Sequence, residues 1–304
     1  MLTLLEAAKL VQDPLKRGVI EIFPRVSPVL ERLPFFEVTG QAYKYNQEET
    51  LPGIAFRGIN ETYTADTGVV NPAVEALYIM GGLSKVDRAL VKTQGNINNL
   101  RAIYDGMKAK AASLEYTKKF FKGDNSTDPN EFDGLEKRLT GDQVIDMGSS
   151  NGGDTLILDK LDETLDAVQG SADVIFCNKT MRRKINSLMR AAGQATEPVN
   201  DAFGRQIQSY AGVPIAVIED DKDGNPILDF DEPDLDDGDQ TVCTSIYCVR
   251  FGLAEYVSGL QSGSMDVLDQ GLVNTHYQTL LEWLCGLGVF HPKAAARLRG
   301  IKNA

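Results

Sequence analysis

The chain has 304 residues, 42% of them hydrophobic, and carries 31 Lys+Arg against 43 Asp+Glu for a formal net charge of −12. That is enough apolar material for one large core or two modest ones. The acidic balance argues against a protein that grips nucleic-acid phosphates, although not against a container whose wall lets DNA slide past.

The four cysteines, Cys177, Cys243, Cys248 and Cys285, show no CxxC spacing and no histidine at a zinc-site distance. They read as free thiols of a reducing cytoplasm. The first residues, Met1-Leu-Thr-Leu-Leu-Glu-Ala-Ala, lack the basic region of a secretory signal. No run approaches the roughly 18 apolar residues that span a bilayer.

Residues 4–23 predict a short amphipathic helix, interrupted near Asp13-Pro14, where Asp13 suits a cap and Pro14 a first helical turn. Pro24, Pro28 and Pro34 keep 24–34 from forming one continuous helix. Residues 1–36 fit an arm laid over a surface, or a helix docked on its own domain.

Residues 37–91 read as β-rich. Pro52-Gly53, Gly58, Gly68, Pro72 and Gly81-Gly82 supply turns. Large apolar residues are scarce from Asn46 to Asn71, as expected of a functional loop without its own core. Tyr43, Tyr45, Phe56 and Tyr63 favour an ordered projecting hairpin over a linker.

Residues 97–121 predict the clearest helix, about seven turns long. Ile97, Leu100, Tyr104, Met107, Ala111 and Leu114 alternate spacings of three and four and form one apolar stripe on it. Lys118, Lys119 and Lys122 favour the C-terminal end of the helix dipole, and Gly123 terminates it. The Gly/Ser/Asn-rich stretch 141–155 marks a boundary.

Beyond it, 156–170 predicts a helix, 172–176 a strand, 178–192 a helix capped by Asn178, and 213–218 a strand. Residues 219–239 hold eleven acids and one lysine, Lys222. Asp223-Gly224 signals a hairpin turn between 216–218 and 227–230. Strands at 244–251 and 253–257 follow, and 276–299 predicts a buried strand or two. The fold class is α+β.

The order of these parts resembles the major capsid proteins of tailed bacteriophages, the HK97-like fold. The carrying residues are the arm before Pro34, the extended loop at about 38–85, and the helix ending Phe120-Phe-Lys-Gly-Asp124. Phe132-Asp-Gly-Leu135, Tyr210-Ala-Gly-Val-Pro-Ile215 and Glu282-Trp-Leu-Cys-Gly-Leu-Gly-Val-Phe-His-Pro292 complete it. Each motif alone is weak, but their order and separation are specific.

The resemblance implies an N-arm (1–36), an E-loop (37–85), a P-domain with a spine helix (86–155), an A-domain (156–270), and C-terminal strands (271–304) returning to the P-domain. It implies a structural virion capsid protein, with no catalysis, that is built in the host cytoplasm. Hexamers and pentamers would close an icosahedral shell around double-stranded DNA, alongside a portal and decoration proteins, with no membrane. The chain begins at the arm, which leaves no room for an N-terminal scaffolding extension and implies a separate scaffold or none. Lys44 is the sole lysine between Val38 and Ser84 and sits near the loop base, so crosslinking through an E-loop lysine is not expected. Loop and arm are expected to order only on assembly.

An encapsulin-like compartment is the alternative, and a small-molecule enzyme built on 156–218 is a distant one. No catalytic, cofactor or metal residue is assigned. His276 and His291 have no partner histidine and read as core or interface residues. There is no Gly-x-Ser-x-Gly elbow or phosphate loop. Asp221, Asp223 and Gly224 loosely suggest a calcium loop, but its twelfth position would be Phe230 instead of a bidentate glutamate. A solvated acidic hairpin is the simpler reading. Arg182, Arg183, Lys184 and Arg190 either pair with a neighbour's acidic loops or form a solvated face.

Overall fold

The computed structural model describes residues 27–94, 100–148, 153–193, 198–200, 206–233 and 241–303. The helix predicted at 4–23 lies outside the described residues, as does the 234–239 part of the acidic stretch.

Ser27 opens the described chain as the cap of helix α1 (Pro28–Arg32), accepting from the Val29 and Leu30 amides, with Pro28 in the first turn. Its hydroxyl also lies 2.5 Å from that of Thr117, which fixes α1 to the long helix. Strands β1 (Phe35–Glu37), β2 (Ala42–Thr50), β3 (Val69–Ala76) and β4 (Tyr78–Asp87) follow, then helix α2 (Arg88–Gln94). The spine helix α3 (Leu100–Lys122) leads to the short helix α4 (Leu135–Arg138). Next come β5 (Val144–Asp146), α5 (Leu158–Asp166), β6 (Val174–Cys177) and α6 (Lys179–Ala191). Asn178 caps α6 through a 2.7 Å bond from the Met181 amide, as its position predicts.

The rest is strand: β7 (Pro198–Asn200), β8 (Gln206–Tyr210), β9 (Val213–Val217), β10 (Glu232–Pro233), β11 (Thr241–Val249), β12 (Val257–Gln261), β13 (Asp266–Val273), β14 (His276–Val289) and β15 (Ala295–Lys302).

Two main sheets result. The first is centred on the long strand β14, which pairs β4 along one edge and β12 and β13 along the other, with β1 beyond β12. The second runs β5-β15-β11-β6-β9-β8-β7, with β10 beside β11. Strands β2 and β3 form a separate two-stranded ribbon.

The C-terminal half of α3 lies in the main core. Tyr116, Phe120 and Phe121 are fully buried with Trp283 of the first sheet and Phe176 and Tyr247 of the second. Phe121 sits 5.4 Å from Phe176 and 5.1 Å from Tyr247, ring to ring. Each such side chain contributes about 2 kcal/mol of burial, and one helix thereby joins two sheets. A second cluster packs α5 and α6 on the second sheet through Leu161, Met181, Ile185 and Met189. All four cysteines are buried and outside any disulfide, and burial pushes the Cys177 thiol up to about 12.

Several sequence expectations need correction. The apolar stripe of α3 is largely uncovered at its N-terminal end, where Tyr104 and Met107 are 46% and 62% exposed, while Ala111 and Leu114 are half-buried. The buried face carries Asp105, Ala109, Ser113, Tyr116, Thr117 and Phe120 instead. Ile97 lies outside the described residues. The helix expected at 156–170 is the shorter α5. No strand forms at 227–230, where Ile227 and Leu228 turn into the core after a single bridge, Asp220 to Pro226. Residues 253–256 are a turn, and the strand starts at Val257.

The closing segment is two strands, but they part company: β14 joins the first sheet and β15 the second. A cut at residue 270 falls within β13, which returns to β14 through Asn274-Thr275 alone, so pairing keeps both strands in one sheet.

Candidate assembly surfaces

Beyond the β2–β3 ribbon, residues 51–68 run out with no strand pairing. Leu51, Ile54, Phe56 and Ile59 are 79%, 96%, 106% and 95% exposed. The bonds along this stretch are local and polar. Gly53 donates to Asp66 (2.9 Å) and Gly58 to Glu61 (2.7 Å), while Arg57 lies 5.4 Å over the Tyr63 ring. These bonds satisfy backbone groups but hide no apolar surface. Large exposed apolar side chains grouped on one projection are the kind of surface that marks a candidate protein contact.

The root of the ribbon is built quite differently. Tyr43 and Tyr45 pack edge-on against Phe290, at 5.8 and 4.7 Å, in a small cluster with Val38 and Leu260. Glu75 on β3 receives both terminal nitrogens of Arg138, at 2.6 and 2.7 Å. Burial, followed by Glu75, pushes the Tyr45 hydroxyl up to about 12. Lys44 stands exposed at this root, as its position in the sequence suggests.

The outward stripe of α3 is the second unusual surface. Ile103, Tyr104 and Met107 are all close to half exposed or more. Met107, Ala111 and Leu114 line a cleft of about 1220 Å³ between α1, the spine helix and the β8–β9 region. Arg182 and Asp221 also line it.

Asp221 is a structural residue. One carboxylate oxygen accepts from the Asp223 and Asn225 amides, and the other from Lys118 at 2.9 Å. Lys118 and those amides hold its pKa down at about 2. Nearby, Lys179 of α6 pairs with Glu219 at 3.1 Å. The acidic loop is thus partly tied to its own subunit, and Arg183 and Arg190 stay exposed.

Neither histidine belongs to a core cluster. His276, the first residue of β14, borders Asp87 of β4 at 3.8 Å, and the His291 ring accepts from the Lys293 amide. Among the described residues no group of three or more His, Cys, Asp or Glu gathers to hold a metal ion, and no helix is long and apolar enough to cross a membrane.

The sequence missed Glu75 and Arg138. Their signal is faint: Glu75 is a charge at the inward position of an alternating strand, as the burial pattern of β3 shows.

Residues 13–157 match the family described as Major capsid protein GP7. No curated protein matches. Among solved structures, the holo-SrpI encapsulin complex from Synechococcus elongatus PCC 7942 superposes with a TM-score of 0.67 at 17% identity, covering 92% of this chain and 89% of that one. The capsid of an empty GTA particle gives 0.63 at 12% identity, covering 91% and 90%. A chain of Mycobacterium phage Bobi gives 0.61 at 13% identity, covering 96% of both. At these identities the likeness establishes the fold, which is HK97-like over nearly the whole chain.

Proposed function

We propose that this chain, a structural shell protein of the HK97-like major-capsid type, assembles through hexamers and pentamers into a closed icosahedral shell around double-stranded DNA. The observation that carries this reading is the projection at 51–68, whose apolar side chains the subunit leaves in water. Burial of those side chains on a second copy, with strand-edge pairing by the ribbon, supplies many weak contacts that sum over a closed assembly.

On this reading residues 37–85 are the E-loop and 1–36 the N-arm. The P-domain takes 86–155 together with β14 and its neighbours β12 and β13. The A-domain takes most of 156–270 together with β15 at its sheet edge. A portal and a separate scaffold or decoration protein would complete the particle in the host cytoplasm. The role is structural and needs no catalytic residue.

The test is electron microscopy of the purified full chain, alone and co-expressed with its neighbouring genes. Closed shells or five- and six-membered rings are the expected result. A uniform monomer or dimer under every condition overturns the reading. The encapsulin likeness supports a second reading, a shell around protein cargo. Particles with the ultraviolet absorbance ratio of packaged nucleic acid favour the first, and particles carrying co-purifying protein the second.

A further inference from the structure

The four-residue helix α4 makes two long-range ionic connections in opposite directions. Toward the ribbon, Arg138 grips Glu75 with both terminal nitrogens, and its Nε donates to the Asp133 carbonyl at 2.7 Å. Tyr45 shares its hydroxyl hydrogen between Glu75 (3.4 Å) and the Val289 carbonyl (3.2 Å). The Arg138 and Glu75 side chains are only 18% and 13% exposed. Fork geometry and shielding make this pair stiffer than a surface ion pair.

Toward the second sheet, two residues earlier, Glu136 meets Arg297 of β15 at 3.1 Å. Arg297 is 8% exposed and also binds Glu232 (3.0 Å) and Ser245 (2.9 Å). Helix α4 itself cannot slide. Leu135 is fully buried, and Gly134 donates to the Gly123 carbonyl at 2.9 Å. A Cβ at Gly134 would lie 2.6 Å from the Lys119 and Phe121 carbonyls at the end of the spine helix.

From this geometry we propose that α4 is a coupler, and that Glu75 and Arg138 are positioning residues for assembly. They fix the angle at which the ribbon leaves the body before any neighbour is met, and so set the curvature of the shell. The inference rests on the shell reading for its second half only. The ribbon has just two strands, a form marginal by itself, so its direction must come from what holds its root. An interface closes into a shell only when the rotation between copies is fixed, and a hinge at the root would spread that rotation.

The experiment uses the full chain with Glu75→Gln, which keeps shape and removes charge, and Arg138→Lys, which keeps charge and removes the fork. Spin labels go on Val70→Cys in β3 and Asp142→Cys beside β5, both exposed, while the native cysteines are buried. In unassembled chain the parent should give one narrow distance. Both variants should melt cooperatively near the parent temperature, broaden that distance and lose closed shells of parental diameter. Should Glu75→Gln fail to fold, Arg138→Lys alone decides. A variant that folds and keeps the narrow distance, or keeps shells of parental diameter, overturns the coupling. If the parent forms no shell under any condition, the shell reading fails, and the label distances alone judge the coupler.

Discussion

Lys118 Nζ stands 2.9 Å from the Asp221 carboxylate, joining the spine helix to the loop after β9. Because Lys118 and two backbone amides favour the ionised acid, the pKa of Asp221 falls to about 2, below the ordinary carboxylate value near 3.9. Folding therefore binds the charged form more strongly. The stabilisation is fully present above about pH 4 and drains away as pH falls toward 2. Asp221→Asn should lower the melting temperature at neutral pH and flatten its fall between pH 4 and 2. Equal acid slopes for parent and variant would show that the Lys118 bond contributes nothing.

Arg297 is the second case. Burial disfavours its charge, but Tyr247, Glu232 and Glu136 outweigh that and hold it protonated. Removing it leaves Glu232 buried without a cation, since Glu232 is 8% exposed. Breaking one side of such a pair costs about 3–5 kcal/mol, whereas replacing both sides with apolar groups can be neutral. Arg297→Met should thus destabilise the chain by that amount in urea titrations. The double variant Arg297→Met/Glu232→Leu should recover much of the loss. A double variant no better than the single one would rule out the unpaired acid as the cause.

Burial of this kind explains which parts were legible in the sequence. Helix α6 was readable because Met181, Ile185 and Met189 keep one apolar stripe on the core and Asn178 caps it. The spine helix exists where the spacing predicts, yet the stripe that reveals it is not the face that the core buries. Periodicity assumes that the apolar face is the buried one, but here Ala109, Ser113 and Thr117 face inward. Small and hydroxyl residues allow close approach to α1 and the first sheet, and no hydrophobic period reports them. The Glu75–Arg138 pair was illegible for another reason: its partners are 63 residues apart, and nothing local marks the match. The missing strand at 227–230 shows that a good turn signal at Asp223-Gly224 does not guarantee strands on both sides.

Gly259 provides a test of the first sheet. Phe35 of β1 lies directly on it, and a Cβ there would collide with the ring. The ring cannot retreat freely, since it packs 5.2 Å from Trp283 and 6.0 Å from Tyr116. Gly259→Ala should cost about 1–3 kcal/mol as overpacking. Phe35→Leu on that background should relieve part of it. Additive losses in the double variant would show that the two side chains do not compete for the same space.

Two phenylalanines separate folding from assembly. Phe121 is fully buried between α3 and the second sheet, and Phe121→Ala should lose about 3–5 kcal/mol of stability. Phe56 is 106% exposed at the end of the projection, so Phe56→Ala removes no contact that the subunit makes with itself. Its melting curve should match the parent within about 0.5 kcal/mol. Assembly should respond in the opposite way. Where Phe56 meets a neighbour, truncation deletes the same small contact at every copy, and the losses multiply over the closed shell. Sedimentation velocity at matched concentration should show Phe56→Ala shifted from shells toward free subunits, with its fold intact. Unchanged shells would mean that Phe56 stays in water after assembly and that the contact lies elsewhere along 51–68.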